Sequence, residues 1–233
     1  MVKIKDSLSN DVGGHVDHDL GAEVGMHLGR MPTPRAYDAL GRRIRMIDSV
    51  ASATTLYYYN PDWQCLAEHD AAGPQAVQLR YFVYGNYIDE PLVMHRQSDG
   101  EDYYYGQDHL YSTVVLLDDT GSVVERCEYD AYGTVHIMDV SYNPRTVSSY
   151  GNPYGFSARN CDILDNGNLQ NNHLQHRDTN PYMGRFLQQD AHGINPAGGE
   201  INRFRVHAQY EDGMNRYEYA NSNLLGDGGA VRT

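Results

Sequence analysis

Short runs of β-branched and aromatic residues alternate with polar turns along most of the chain. The clearest case joins a run at 112–117 to a second run at 122–129 through the segment Asp118-Asp119-Thr120-Gly121. Two such runs around a short segment that ends in glycine are typical of a β-hairpin, because glycine adopts the positive φ that the turn needs. The stretches 63–84 and 88–103 repeat the scheme. We therefore predict an all-β chain of successive antiparallel hairpins from residue 35 to about 140, within a strip that ends near 150.

Tyrosine clusters occupy one place in each period. They begin at residues 37, 57, 81, 103 and 129. Neighbouring rings on one face of a sheet stack across strands, and each pair contributes about 0.2–1 kcal/mol. We interpret most of these rings as packing groups. The alternative is an exposed aromatic surface that binds carbohydrate or a partner protein, made by the triplets Tyr57, Tyr58, Tyr59 and Tyr103, Tyr104, Tyr105.

The two ends of the chain lack this period. Residues 1–34 are rich in glycine and are predicted to form a poorly ordered leader. Residues 151–223 are predicted to form an irregular, loop-rich C-terminal unit, because 160–181 are rich in Asn, Asp and Gln. A weak helical pattern covers 212–223, and 224–233 form a tail.

Composition narrows the function classes. The chain has 20 Tyr and 23 Gly, which disfavours a helical bundle. Its 18 basic and 31 acidic residues give a net charge of −13, which argues against nucleic acids and anionic membranes as partners. No apolar run reaches the length of about 18 residues that a membrane span needs, and no signal peptide is evident. The three cysteines do not describe a disulfide scaffold.

Four motifs resemble those of a known family. The segment that contains Tyr37, Asp38, Gly41 and Arg42 is similar to the tyrosine–aspartate (YD) repeat, and Tyr129-Asp130-Ala131-Tyr132-Gly133 is a shorter form of it. Residues 152–159 resemble the opening of the RHS repeat-associated core domain. Two further motifs of that domain resemble segments here that carry Gly184, Arg185, Phe186 and Asp190, and then Tyr217, Tyr219 and Asn221.

The resemblance implies a curved sheet of hairpins that forms part of an RHS/YD shell, with the core domain closing one end. In this family the shell encloses or displays a C-terminal variable or toxin domain at the cell surface or after secretion. Only 10 residues follow Asn223. We therefore expect a non-catalytic structural fragment whose partners are other parts of a larger RHS shell, or a cell-surface or export partner.

Two segments depart from the family pattern. Residues 171–176 and 177–181 are polar where the family has tyrosines, so we expect fewer strand pairs and a weaker core unit.

Self-cleavage is the catalytic alternative that the resemblance suggests. Asp190 matches the family's central aspartate, and Asp165 or Asp162 is a candidate partner. Two close carboxylates can share one proton and act as an acid–base pair. The altered tail at 227–230 and the turn-forming context of Asp165 disfavour this chemistry. We expect no enzyme activity, no cofactor and no metal site; the histidines near residue 15 lie among glycines that cannot hold a fixed geometry.

Overall fold

The computed structural model describes residues 34–189 and 217–219. This part of the chain forms two antiparallel sheets, one of eleven strands and one of four, which confirms the all-β prediction. The predicted leader at 1–34, apart from Pro34, and the tail at 224–233 lie outside the described residues. So does the weak helical pattern at 212–223, apart from 217–219, where Glu218 makes a β-bridge to Arg185.

The eleven-stranded sheet, which we call the strip, is built in chain order. Each strand pairs with the next one, so the predicted succession of hairpins is confirmed. The strands are β1 (Arg35–Tyr37), β2 (Arg43–Asp48), β3 (Ala53–Tyr59), β4 (Cys65–Asp70), β5 (Val77–Tyr84), β6 (Pro91–Arg96), β7 (Glu101–Gln107), β8 (Thr113–Leu117), β9 (Val123–Tyr129), β10 (Val135–Met138) and β11 (Pro144–Arg145).

One turn geometry recurs along the strip. The N–H of the first turn residue (i) donates to the carbonyl of residue i+4. The carbonyl of residue i accepts the N–H of residue i+3. Residue i+3 has a positive φ, as in Gly121 (φ 79°). Within residues 34–145, turns of this form begin at Asp38, Asn60, Asp108, Asp118, Asp130 and Asp139. In all of them except the turn at Asp130, the first side chain also accepts two backbone N–H groups, which fixes the turn.

β-Bulges follow four of these turns, those at Asp38, Asn60, Asp108 and Asp118, and also the connection between β5 and β6. In each case one residue near the start of the second strand of the pair has no partner on the first strand. These unpaired residues are Ile44, Leu66, Leu92, Val114 and Val124. A bulge bends its strand and increases the local twist. The bulges at Ile44, Leu66, Leu92 and Val114 lie at one edge of the strip, because β2, β4, β6 and β8 run in the same direction, and the bulge at Val124 of β9 lies at the opposite edge. These bends favour a curved strip.

The four-stranded sheet, which we call the cap sheet, contradicts the prediction of a loop at 160–181. It consists of β12 (Asn160–Leu164), β13 (Leu169–Leu174), β14 (Arg177–Asn180) and β15 (Arg185–Phe186). The expected loss of strand pairs is also wrong, because β13 and β14 pair through Asn172↔Thr179 and His173↔Asp178. The polar composition that suggested a loop belongs to strands whose polar side chains are buried and hydrogen-bonded, as the next subsection shows.

The apolar core lies on the inner face of the strip. Its members are Phe82, Met94, Tyr103, Tyr105, Leu116 and Tyr154. Tyr154 comes from the segment 146–159, the crossing segment, which connects the strip to the cap sheet. The Tyr154 ring meets the ring of Phe82 edge to face, with centroids 5.0 Å apart. The crossing segment is thereby anchored to the strands of the middle of the strip.

Among the described residues, the structure contains no helix that is long and apolar enough to cross a membrane.

Candidate functional site

The cap sheet touches both ends of the strip through buried polar side chains. Near β10, the amides of Gln170 and Asn172 each donate to the carbonyl of Gly133 at 3.1 Å, and the N–H of Val135 donates to Gln170. At the other end, Arg43 of β2 reaches Asp162 of β12. The cap sheet therefore bridges the two ends of the curved strip and covers part of its inner face.

A buried network of charged groups holds the first hairpin of the strip to the cap sheet. The guanidinium of Arg43 binds the Asp162 carboxylate at 2.5 Å and the side-chain oxygen of Asn160 at 2.8 Å. Arg35 of β1 lies 3.5 Å from both Asp162 and Asp178. The Arg43 guanidinium also lies over the ring of Tyr57, 4.7 Å from its centroid. Each buried charge in this network thus faces an opposite charge.

His173 of β13 completes this network. Its Nδ1 lies 2.8 Å from Asp178. Burial lowers the pKa of His173 and the charge of Arg43 lowers it further, while Asp178 raises it. Burial alone would raise the pKa of Asp178, but the hydrogen bond to His173 and the charge of Arg35 outweigh it, so this pKa falls below its ordinary value. At neutral pH the imidazole is therefore neutral and the aspartate is ionised.

Two buried glutamates fix the neighbouring segments. Glu68 pairs with Arg80 at 3.2 Å and faces the amide of Asn160, and burial raises its pKa. Glu125 accepts the hydroxyl of Ser148 at 2.7 Å. Burial raises the pKa of Glu125 as well, although its hydrogen bonds work in the opposite direction. These contacts hold the cap sheet and the crossing segment on the strip.

A cleft of about 70 Å³ opens at the border between strip and cap sheet. It has room for a few water molecules. Aromatic and charged side chains line it, among them Arg42, Tyr59, Trp63, Asp89, Arg159 and His173. Arg159 is paired with Asp89 at 3.0 Å and Arg42 with Asp38 at 2.7 Å, so these arginines already have carboxylate partners. Within residues 34–189 and 217–219, no group of three or more His, Cys, Asp or Glu side chains could hold a metal ion.

The residues of the first YD motif build a turn. Asp38 accepts the N–H of Arg42 at 2.9 Å and pairs with its guanidinium, while Gly41 supplies a positive φ of 81°. The Tyr37 side chain is partly exposed, at 44%. The second motif builds the same turn between Asp130 and Gly133, where φ is 84°.

The core-domain motif residues that the structure describes also have packing roles. Gly184 lies against the ring of Tyr132, where an added Cβ would come within 3.1 Å of ring atoms. Arg185 lies over the ring of Tyr217 at 4.9 Å. Phe186 meets Tyr219 with ring centroids 5.5 Å apart. Asp190 and Asn221 lie outside the described residues.

The proposed aspartate pair remains a prediction, because Asp190 is not described. Asp165 begins the short 3-10 turn Asp165–Gly167, and its carbonyl accepts two N–H groups from Asn168. Asp162 belongs to the buried network with Arg43 and Arg35.

The tyrosine triplets divide between the two faces of the strip. Tyr57, Tyr103 and Tyr105 are buried on the inner face, and Tyr59 is half-buried. Tyr58 and Tyr104 are exposed at 48% and 40%. The triplets therefore do not present six rings to one ligand, and at least half of their rings pack inside the protein.

The sequence did not reveal the bonds that the tyrosine hydroxyls make. Tyr59, Tyr84 and Tyr129 end their strands, and each hydroxyl donates to the carbonyl of the residue that opens the preceding strand. The acceptors are Arg43, Cys65 and Thr113, at 3.0, 3.1 and 2.6 Å. Each acceptor directly precedes a bulge residue. The signal that could have shown this is a tyrosine directly before each Asx or Gly turn residue.

No protein-family model and no curated protein sequence matches the chain. Among solved structures, it is similar to the pore form of the Photorhabdus luminescens Tc holotoxin with a mutated TccC3, at a TM-score of 0.52 and 17% identity. It is also similar to a crystal structure of TcdB2-TccC3-TEV, at a TM-score of 0.52 and 18% identity. Both matches cover 83% of this chain and only 8% of the other chain. The similarity shows an RHS-like fold.

Proposed function

We propose that the chain is a structural segment of a larger RHS/YD-type shell and that it has no enzyme activity. The observation that carries this proposal is the cap sheet, which bridges the two ends of the curved strip with buried polar side chains. A curved strip contributes a section of wall, and the cap sheet closes its inner face. The similar solved structures support this role, because the same fold there makes up a small share of much longer chains.

In this proposal, the larger protein encloses or displays a variable or toxin domain. It is secreted or carried at the cell surface, and the partners of this chain are the other parts of the shell. A carbohydrate-binding role has less support, because Tyr57, Tyr103 and Tyr105 are buried.

Association with further shell segments is the direct test. The products of the flanking coding sequences would be co-expressed with this chain and examined by native mass spectrometry. We expect a complex of fixed stoichiometry that survives purification. The proposal would be contradicted if the two products elute separately while circular dichroism shows that each of them is folded.

The absence of catalysis is tested separately on the purified chain. We expect one intact mass over several days of incubation. A fragment that appears in the wild type, but not after Asp190→Asn substitution, would instead support self-cleavage.

A further inference from the structure

His173 lies where the strip and the cap sheet meet, with a side chain only 7% exposed. Charged groups face it from both sheets. Arg35 and Arg43 come from β1 and β2 of the strip, and Asp162 and Asp178 come from β12 and β14 of the cap sheet. The same cleft is lined by the paired Asp89 and Arg159 and by Arg42, which is paired with Asp38.

This interface is balanced in charge only while the imidazole is neutral. Two arginines then face two aspartates, and the side chains of Arg43, Asp162 and Asp178 are each only 1% exposed. A proton on His173 would place a third positive charge beside Arg43 opposite the same two aspartates, because the nearby carboxylate of Glu68 is already paired with Arg80. Burial of an uncompensated charge is costly, and the cost is relieved when the group returns to water.

We propose that protonation of His173 releases the cap sheet from the strip, so that the inner-face residues around Arg43 are covered at neutral pH and uncovered in an acidic compartment. The moving part is the cap sheet, residues 160–186, which follows the anchored crossing segment. This inference rests on the geometry of the interface and does not depend on the proposed role in a shell.

The direction of the pH effect follows from the two states of the imidazole. In the closed state, burial and Arg43 lower the pKa of His173. In the open state, the ring is in water and its pKa returns to about 6.5. Between these two pKa values the open state binds one more proton than the closed state. The ratio of open to closed protein should therefore rise about tenfold for each unit of pH below about 6.5, until the lowered pKa is reached.

The carboxylates of Asp178 and Glu68 also make the opening of the interface depend on pH, but not in the same way as His173. The lowered pKa of Asp178 means that this group favours opening only at more acidic pH, when it becomes protonated. The raised pKa of Glu68 favours the closed state as the pH falls. The contribution of His173 is therefore isolated as the difference between the wild type and a variant that lacks only the imidazole.

The test is hydrogen exchange of the full chain, followed by mass spectrometry from pH 7.5 to pH 5 and corrected for intrinsic exchange rates. The wild type is compared with His173→Asn, whose amide can still donate to Asp178 but cannot take up a proton. For peptides in 160–180, we expect the ratio of open to closed protein to rise with each unit of falling pH by a factor about ten times larger in the wild type than in His173→Asn. Peptides in 91–129 report on the strip and should show no such difference. Equal slopes in 160–180 for the two proteins would overturn the proposal.

A matched control uses a second histidine–aspartate pair. His95 lies 2.7 Å from Asp102 on the other face of the strip, away from the cap sheet, and its ring stacks on Tyr81. His95→Asn should keep the wild-type pH slope in 160–180. Loss of the slope in this variant would show that the effect does not arise at the interface and would overturn the assignment to His173.

A measurement on the wild type alone covers the case in which His173→Asn does not fold. Nuclear magnetic resonance of the imidazole nitrogens follows the protonation of His173 directly. We expect protonation and loss of amide protection in 160–180 to share one midpoint. A protonated imidazole in a cap sheet that is still protected would overturn the proposal.

Discussion

The hydroxyl of Tyr129 should contribute measurably to the stability of the strip. It donates to the carbonyl of Thr113 at 2.6 Å, next to the bulge at Val114. Tyr129→Phe removes this donor and leaves the ring in place against Phe156, whose centroid lies 5.8 Å away. The substitution therefore removes the hydroxyl's bond to Thr113 and its contact with the Cys127 thiol, and it changes little packing.

The magnitude follows from what the carbonyl loses. A hydrogen bond contributes about 0.5–1.5 kcal/mol net, and a buried acceptor left without its partner costs about 1–3 kcal/mol. A hydroxyl at 2.6 Å is at the short end of the range for such bonds. We expect Tyr129→Phe to lower the free energy of unfolding by about 1–2 kcal/mol. Tyr104→Phe is the matched control, because its ring is 40% exposed, and it should change stability by less than about 0.5 kcal/mol.

Urea unfolding followed by the fluorescence of Trp63 measures both variants. The midpoint of Tyr129→Phe should fall with an unchanged slope, since the surface exposed on unfolding is the same. Tyr59→Phe removes the equivalent bond six strands away, about 29 Å along the strip, so the two losses should add. If Tyr129→Phe and Tyr104→Phe unfold at the same urea concentration, the hydroxyl bonds do not stabilise the bulges.

Three further predictions concern the turns, the buried charges and the phenols. Gly121→Ala should lower the free energy of unfolding by about 1 kcal/mol, because φ is 79° although the added Cβ meets nothing within 4 Å. Gly133→Ala should lower it by about 2–4 kcal/mol, because φ is also positive and the added Cβ would come within 2.7 Å of an aromatic ring. Asp162→Ala should lower the free energy of unfolding by about 3–5 kcal/mol, since it leaves the buried Arg43 without a carboxylate partner. His136→Ala, from an exposed pair, should lower it by less than about 1 kcal/mol, and thermal unfolding compares the two variants. Burial raises the pKa of inner-face phenols such as Tyr105, so the fold should lose stability as the pH rises above about 10. Phenolate absorbance of these rings should therefore appear only together with loss of the β-sheet signal in circular dichroism.

The hairpins could be predicted because their signals are local. Alternating apolar residues and a glycine at the end of a polar segment identify a strand pair without knowledge of the rest of the molecule. Three turns of the same geometry carry an aromatic residue, Trp63, Tyr111 or Tyr142, at the positive-φ position, where that signal is missing. Their rings have partners: Trp63 packs on His176 at 5.0 Å and Tyr111 on Tyr87 at 5.3 Å, and the Arg126 guanidinium lies 4.7 Å from the centroid of Tyr142. Contacts between distant residues thus accompany a backbone conformation that the local sequence does not favour.

The cap sheet could not be predicted because its signals are not local. Asn172 and Gln170 read as loop residues until the carbonyl of Gly133 is placed beside them. In the same way, Asp162 reads as a turn residue until Arg43, 119 residues earlier in the chain, reaches it. Polar strands are identified by their partners, and those partners belong to the strip.

The tyrosine–turn pair explains how the strip can be curved and stable together. A bulge bends the strand, and in three places the carbonyl beside it binds a tyrosine hydroxyl. The tyrosine directly before the turn residue supplies that donor, as in Tyr59-Asn60 and Tyr129-Asp130, while the Asx residue helps to close the turn. Where Gln107 takes the tyrosine's place before Asp108, its amide donates instead within its own turn, to Tyr111. The turn residue closes its own hairpin, whereas the phenol satisfies the carbonyl beside the bulge of an earlier hairpin, so each tyrosine–turn pair links two hairpins of the strip. A strip built from this pair needs no deep aliphatic core to hold its curvature, which leaves its inner face free to be closed by a polar sheet.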